Sequence, residues 1–366
     1  MKSSKFFYLF LCSFLFLSGC QTKTNAELPT SSNQTSSSEF PKELRCTLSD
    51  KISVNAKCIY PPECKNGSAK TVQLDEPLLW DKKEEIKELF FQGKETEKIH
   101  YDYDTSEETI YTADNQTTHL SFSSLNYIDY GTKLSIYIQN VLYTDDRFSD
   151  YNGDVYQIKT DLPFMSQENA WKHVQEFLTQ LGVEVSEPTC YVMDHKTMQT
   201  EEERLAKEAE ASDMKPVRKD TPWIDADDCY CFTARTSWNG YPVLPVMSGE
   251  GISEENVMVL YNKDGIQALS IGESYPLKEE QEISIQSPEA ILEKIQNLLE
   301  NIISEDSYEI QEITLCQKVS NFDSKNHKAQ IFPVWECKIL VRNALLEGDS
   351  YYQKLYFHAE TLKNID

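Results

Sequence analysis

Glycine is scarce, with 12 in 366 residues, and none sits in a phosphate-cradling loop. There is no Gly-x-Ser-x-Gly and no His-Glu-x-x-His, so the strong sequence cases for a serine hydrolase, a zinc peptidase or a nucleotide enzyme are missing. Positive charge is also short: 35 Lys+Arg stand against 60 Asp+Glu, a formal net charge of −25. Such a surface repels phosphate backbones and anionic head groups, which excludes nucleic acid as a partner. Beyond the first twenty residues no apolar run approaches the roughly 20 residues a spanning helix needs.

The amino terminus carries the clearest signal. Lys2 and Lys5 precede an apolar stretch from Phe6 to Phe16, too short to span a membrane but right for an export signal. It ends in Leu17-Ser18-Gly19-Cys20, which resembles a bacterial lipobox. The resemblance implies removal of residues 1–19 and a diacylglycerol thioether on Cys20. That lipid is the membrane contact, and it places the protein on the extracytoplasmic face of the cell membrane. Loss of Lys2 and Lys5 takes the formal charge from −25 to −27. Residues 20–44, rich in Ser, Thr and Asn with no apolar period, read as a tether.

The rest is long enough for several cores. Twenty Tyr and 16 Phe beside alternating apolar residues favour β structure. The expected fold class is α+β with antiparallel sheets, each packed by a helix. Residues 45–160 read as a β-rich amino-terminal domain, with a strand over Lys51–Ile59, a helix opened by Asp81 and Glu84, and strands over Leu134–Ile138 and Val155–Ile158. Residues 161–275 read as a first α+β unit. Its helix is capped by Ser166 and closed by Gly182, and a charged insertion fills 197–220. Within the insertion, Thr200 and Glu203 form a capping box, and few apolar residues follow, so a solvated helix is expected. Residues 276–366 read as a second unit opening at Ser287-Pro288.

The two units echo one another. Each has an amphipathic helix, a strand with one cysteine (Cys190 or Cys316), then a second cysteine-bearing strand (Cys229 and Cys231, or Cys337). If those strands are antiparallel neighbours, Cys316 bridges Cys337, and Cys190 bridges Cys229 or Cys231. The cysteine left over joins Cys46, Cys58 and Cys64. An exported protein of an anaerobe would keep all eight as thiols.

Asn239-Gly240-Tyr241-Pro242-Val243, the Asp264-Gly265 hairpin, Pro333-Val334-Trp335 and Phe357-His358-Ala359-Glu360-Thr361 carry a resemblance over about residues 166–366. The arrangement is similar to PepSY-like modules and to the extracytoplasmic proteins that restrain the cell-wall sensor kinase of Gram-positive bacteria. The whole chain resembles uncharacterised lipoproteins of gut Firmicutes. The resemblance implies two PepSY-like repeats after the β-rich part, and it carries over no functional residues.

Candidate chemistry is thin. His173 and Glu176 share a helix face and offer two metal ligands. Cys229 and Cys231 share a strand face and offer a soft-metal or redox pair. Asp225-Ala226-Asp227-Asp228 and Asp150-Tyr151-Asn152-Gly153-Asp154 are oxygen-rich enough for calcium. Trp223, Trp238 and Trp335 offer a sugar platform. Each has a plainer reading as a solvated face, a structural cysteine, a polar turn or core, so no catalytic residue, metal or cofactor is assigned. The expected function is a non-enzymatic, surface-tethered interaction or regulatory module with a membrane or envelope protein as partner, and Thr200–Ala211 as its contact element. The alternative is an envelope enzyme or substrate-binding lipoprotein acting on peptide or glycan. Cys20→Ala is expected to abolish lipid labelling and processing; mass spectrometry showing a mature amino terminus other than a lipidated Cys20 would refute the anchor.

Overall fold

A computed structural model describes residues 39–144, 151–157, 160–212, 214–244, 255–302, 304–343 and 350–365. The expected export signal, Cys20, the expected tether up to residue 38 and Asp150 lie outside them. Strand outweighs helix, 44% against 25%, and the fold is mixed α+β with several antiparallel sheets.

β1 (Glu43–Ser49) and β2 (Ile52–Ile59) form a hairpin. β2 keeps the expected alternation, burying Ile52, Val54, Ala56 and Cys58. β3 (Ser68–Leu74) follows. α1 (Lys83–Phe91) starts later than Asp81, which instead accepts the Leu78 N–H at 3.0 Å, so the expected capping box is absent. β4 (Glu97–Asp102), β5 (Glu107–Ala113), β6 (Thr118–Ser123) and β7 (Tyr127–Gly131) make an antiparallel meander.

The strands expected at Leu134–Ile138 and around Val155 are helical: α2 (Lys133–Gln139) and α3 (Gly153–Tyr156). Leu134, Ile138 and Val141 are spaced by four and three, so the same residues also make a helical stripe, and packing chose that reading. α4 (Gln167–Leu181) is as expected. Ser166 Oγ accepts the Asn169 N–H at 3.3 Å, and Gly182 closes the helix at φ 77°, where a side chain would be strained.

β8 (Glu184–Val185) and β9 (Thr189–Met193) lead into α5 (His195–Ala211). This helix begins five residues before Thr200. Its cap is Asp194, whose carboxylate accepts the Lys196 and Thr197 N–H groups at 3.1 Å. Nor is it a solvated excursion, since Met198, Glu201, Glu202 and Ala206 are buried. The two glutamates tolerate burial because each has donors. Glu201 takes Asn152 Nδ2 and Arg204, both at 2.8 Å, and Glu202 takes the Lys219 N–H at 2.7 Å.

β10 (Cys229–Ala234), β11 (Thr236–Trp238), β12 (Tyr241–Leu244), β13 (Val257–Asn262), β14 (Gly265–Ile271) and β15 (Leu277–Ser284) precede α6 (Pro288–Glu300). β16 (Ser307–Asp323), β17 (Lys328–Arg342), β18 (Ser350–His358) and β19 (Asn364–Ile365) end the chain.

The first sheet runs β4-β5-β6-β7-β14-β13-β10-β9 and is antiparallel throughout. The second runs β19-β18-β17-β16-β12-β11-β8, with β2 and then β1 joined through β16. β16 has two parallel partners, β2 along Tyr308–Thr314 and β12 at Gln317 and Lys318. β15 pairs with β3. The stretch read as a separate domain over 45–160 is therefore divided. β1 and β2 complete the second sheet, β3 joins β15, and β4–β7 extend the first. These pairings join residues far apart in the chain, from Ala268 with Gly131 to Tyr308 with Ile52, which local pattern does not report.

α1 and α4 cover one face of the first sheet, burying Ile86, Val174 and Leu178 against Leu120, Phe122 and Leu269. Each fully buried side chain of this size contributes about 1.5–3 kcal/mol. α5 covers part of the opposite face, with Met198, Tyr156 and Trp223 over Cys229, Cys231 and Leu260. α6 covers the second sheet through Ile291, Ile295 and Leu299.

The other face of the second sheet holds a buried ion group. Glu336 is 3% exposed. Lys354 Nζ donates to it at 2.8 Å, and Arg235, just past β10, donates to both oxygens at 3.2 and 3.3 Å. Burial pushes this carboxyl up, but the two cations outweigh burial and hold it below its ordinary 4.5. The pair energy is therefore present above pH 4.5 and is lost as pH falls through the lower folded value. Glu336→Gln should cost about 3–5 kcal/mol at pH 7 by removing the buried negative charge from beside two cations. Urea unfolding from pH 7 to pH 3 should then show less acid loss in the variant than in the parent; parallel curves would contradict it.

Candidate functional site

The cysteines expected to bridge lie on opposite faces. Cys316 is opposite Val334 and Cys337 opposite Ile313, two registers of different parity on the same strand pair. Cys190 is opposite Phe232, facing α4, whereas Cys229 and Cys231 sit opposite Met193 and Tyr191, facing α5. Neighbouring strands do bring these residues close, as expected, but the two-residue period of the pleat turns the thiols apart. Among the described residues all eight cysteines stand outside any disulfide. Burial pushes Cys58 and Cys190 up to about 12 and Cys64 to about 11, and raises Cys229, Cys231 and Cys337 strongly. Thiolate, the metal-binding and reactive form, is thereby suppressed.

The oxygen-rich turns are spent on protein donors. Asp227 accepts the Ile224 N–H at 2.9 Å and pairs with Lys219 at 3.0 Å, and Asp228 accepts the His195 N–H at 2.6 Å and faces its ring at 2.8 Å. Asn152 bridges Tyr143, Val141 and Glu201. His173 is exposed on α4 and its ring lies 6.1 Å from that of Tyr261, not on Glu176. Trp335 and Trp223 are buried, and Trp238 lies against Tyr241. Among the described residues no group of three His, Cys, Asp or Glu could hold a metal ion.

The fold does assemble one serine, histidine and aspartate. His119 Nε2 lies 2.9 Å from Asp129, and Gly131 leaves room beside both His119 and Ser135. Yet Ser135 is buried, and its hydroxyl donates to the Thr132 carbonyl at 2.7 Å. A nucleophile needs its proton aimed at the base, so this is not a triad.

What remains distinctive is the face on which His119 sits. The side of the β4–β7 meander away from α1 and α4 presents Ile99, Tyr101, Ile110, Ser121, Tyr127 and Asp129, none of them buried. Ile99, Tyr101, Tyr103 and Tyr127 are 41%, 42%, 50% and 37% exposed. The Tyr101 and Tyr103 rings stack at 6.1 Å, and Tyr127 hydrogen-bonds Ser270 at 3.1 Å. β4 is thus turned inside out. Lys98 and His100 point to the helix side, where Lys98 pairs with Glu84 at 2.7 Å, while the apolar alternates face solvent. β4 is also the outer strand of its sheet. The signal was present as alternation at 99, 101 and 103, but alternation does not say which side is core.

No family model matches the chain, and no curated protein matches it. The chain is similar to the crystal structure of an uncharacterized protein from Eubacterium rectale, with a TM-score of 0.62 and 16% identity over 89% of this chain and 94% of that one. That likeness establishes a shared fold with an uncharacterised protein of a gut Firmicute.

In the native protein, Ellman's reagent should modify the exposed Cys46 first, with the buried thiols reacting only on unfolding; denatured, unreduced protein should titrate eight thiols, and six or fewer would establish a bridge.

Proposed function

We propose that this chain is a lipoprotein, anchored through Cys20 on the outer face of the cell membrane, that works by binding an envelope or membrane protein and not by chemistry. The observation that carries the reading is the reversed sidedness of β4. An edge strand showing Ile99, Tyr101 and Tyr103 to solvent is an aggregation hazard unless something covers it. Tyrosine is the residue type most favoured at recognition surfaces, offering wide contact at small entropic cost. The contact surface is accordingly moved from Thr200–Ala211, whose helix has its own core, to the meander. A PepSY-like relationship draws support from the order of elements, because α4 and α6 each precede an antiparallel run of strands. The enzymatic alternative has less support, since the grouping of Ser135, His119 and Asp129 has its hydroxyl committed elsewhere.

A photo-crosslinking side chain at position 101 should give a discrete adduct in intact cells, and one at the exposed Val217 should not. Ile99→Ala with Tyr127→Ala should cut adduct yield about tenfold, the loss of roughly 1.4 kcal/mol, with little change in Tm. Absence of an adduct at 101, or turnover of peptide or glycan abolished by one side-chain change, would overturn the reading.

A further inference from the structure

We infer that the free edge of β4 takes up a basic, extended peptide segment as an added strand; this rests on the binding reading above and names the partner's chemistry. Edge geometry comes first. The Tyr103 N–H donates to the Ser106 carbonyl at 2.8 Å, closing the β4–β5 turn with a hydrogen-bonded pair. Antiparallel pairs alternate between bonded and unbonded. By that alternation Tyr101, Ile99 and Glu97 bond to β5, and the N–H and carbonyl groups of Lys98, His100 and Asp102 point outward from the sheet. All six residues of β4 are exposed, and no strand pairs with its outer edge among the described residues. An edge of this kind is a template for strand addition, with backbone bonds supplying affinity and alternate side chains supplying specificity.

Charge decides the sign of the occupant. From Lys94 to Glu108 the strand and its flanks carry Glu95, Glu97, Asp102, Asp104, Glu107 and Glu108 against two lysines. Both lysines are engaged, Lys98 with Glu84 and Lys94 with Asp114. Among the described residues none forms an ion pair with Glu95, Glu97 or Asp102. An open depression of about 570 Å³ lies at the start of β4, lined by Glu95, Glu97 and Asp114 with Thr112 and Gln116. A peptide alternating cationic and apolar residues would lay its apolar side along Ile99 and Tyr101 and its cations along the helix side, where Asp102 stands opposite Glu107, with Glu95 and Glu97 adding to the negative field at the start of the strand. A second copy of this acidic chain would bring like charges to the same edge.

The test is a fluorescence-anisotropy titration of the full lipidated chain in detergent with an eight-residue alternating Lys-Val peptide. The controls are its Glu-Val counterpart and a version N-methylated at every second residue. The Lys-Val peptide should bind at least tenfold more tightly than either control. His100→Pro removes an outward donor and leaves the backbone ladder to β5 intact, losing only the side-chain bond of His100 Nδ1 to Thr109 Oγ1 at 3.1 Å, and should weaken binding about tenfold. Should that variant misfold by circular dichroism, Ile99→Lys, which adds a like charge on the exposed side, should weaken it as much. Equal binding of the N-methylated peptide, or no loss in a folded variant, would show attraction to the net charge alone and overturn strand addition. No binding of Lys-Val would overturn the basic occupant, while the crosslink at position 101 reports separately on whether the face binds at all.

Discussion

A carboxylate cannot stay charged in a protein interior unless it is matched, and Glu336 is matched from two directions. Lys354 comes from the neighbouring strand β18, and Arg235 comes from the link between β10 of the first sheet and β11 of the second. The hydrophobic clusters on either side are separate, so apolar packing alone leaves this face of the second sheet without a specified neighbour. The ion group supplies direction where dispersion and burial supply none. Its desolvation makes any arrangement that separates the three residues unfavourable, which is the sense in which a buried ion pair specifies more than it stabilises. β17, which holds Glu336, is also bonded along nearly its whole length to β16 and from Val334 to Arg342 to β18, so the backbone that carries the carboxylate is fixed on both sides.

Much of the local structure could be read from residues alone. The caps of α4 and the proline at the start of α6 announce themselves, as does the Asn262–Gly265 turn. What could not be read is what depends on distant partners. Leu134 to Ile138 satisfies both periods, and only the sheet beneath decides between them. α5 looks solvated because its buried positions include two glutamates, and their burial is tolerable only because Asn152, Arg204 and the Lys219 backbone meet them. The amino-terminal strands read as one block because nothing local reveals that β2 pairs with β16.

The site candidates show the same division. Residue type placed Cys316 and Cys337 on adjacent strands, but a bridge depends on parity of register, which one bulge at Ile310–Glu312 is enough to change. The alternation at Ile99, Tyr101 and Tyr103 was visible, but its sidedness follows from the register with β5, which sets Lys98 opposite the buried Tyr111 and within reach of Glu84 on α1.

The double partnership of β16 bears on how such a chain reaches its fold when it emerges amino terminus first. β2 finds its parallel neighbour at Tyr308–Thr314 and β3 finds β15 at Leu277–Ser284, so neither can close its ladder until most of the polypeptide has appeared. The β4–β7 meander needs no such wait for its own ladders. Assembly would then run from the middle outward, with the first-made hairpin holding an unpaired edge for the longest time. The alternating Ser53, Asn55 and Lys57 give that waiting hairpin one polar face.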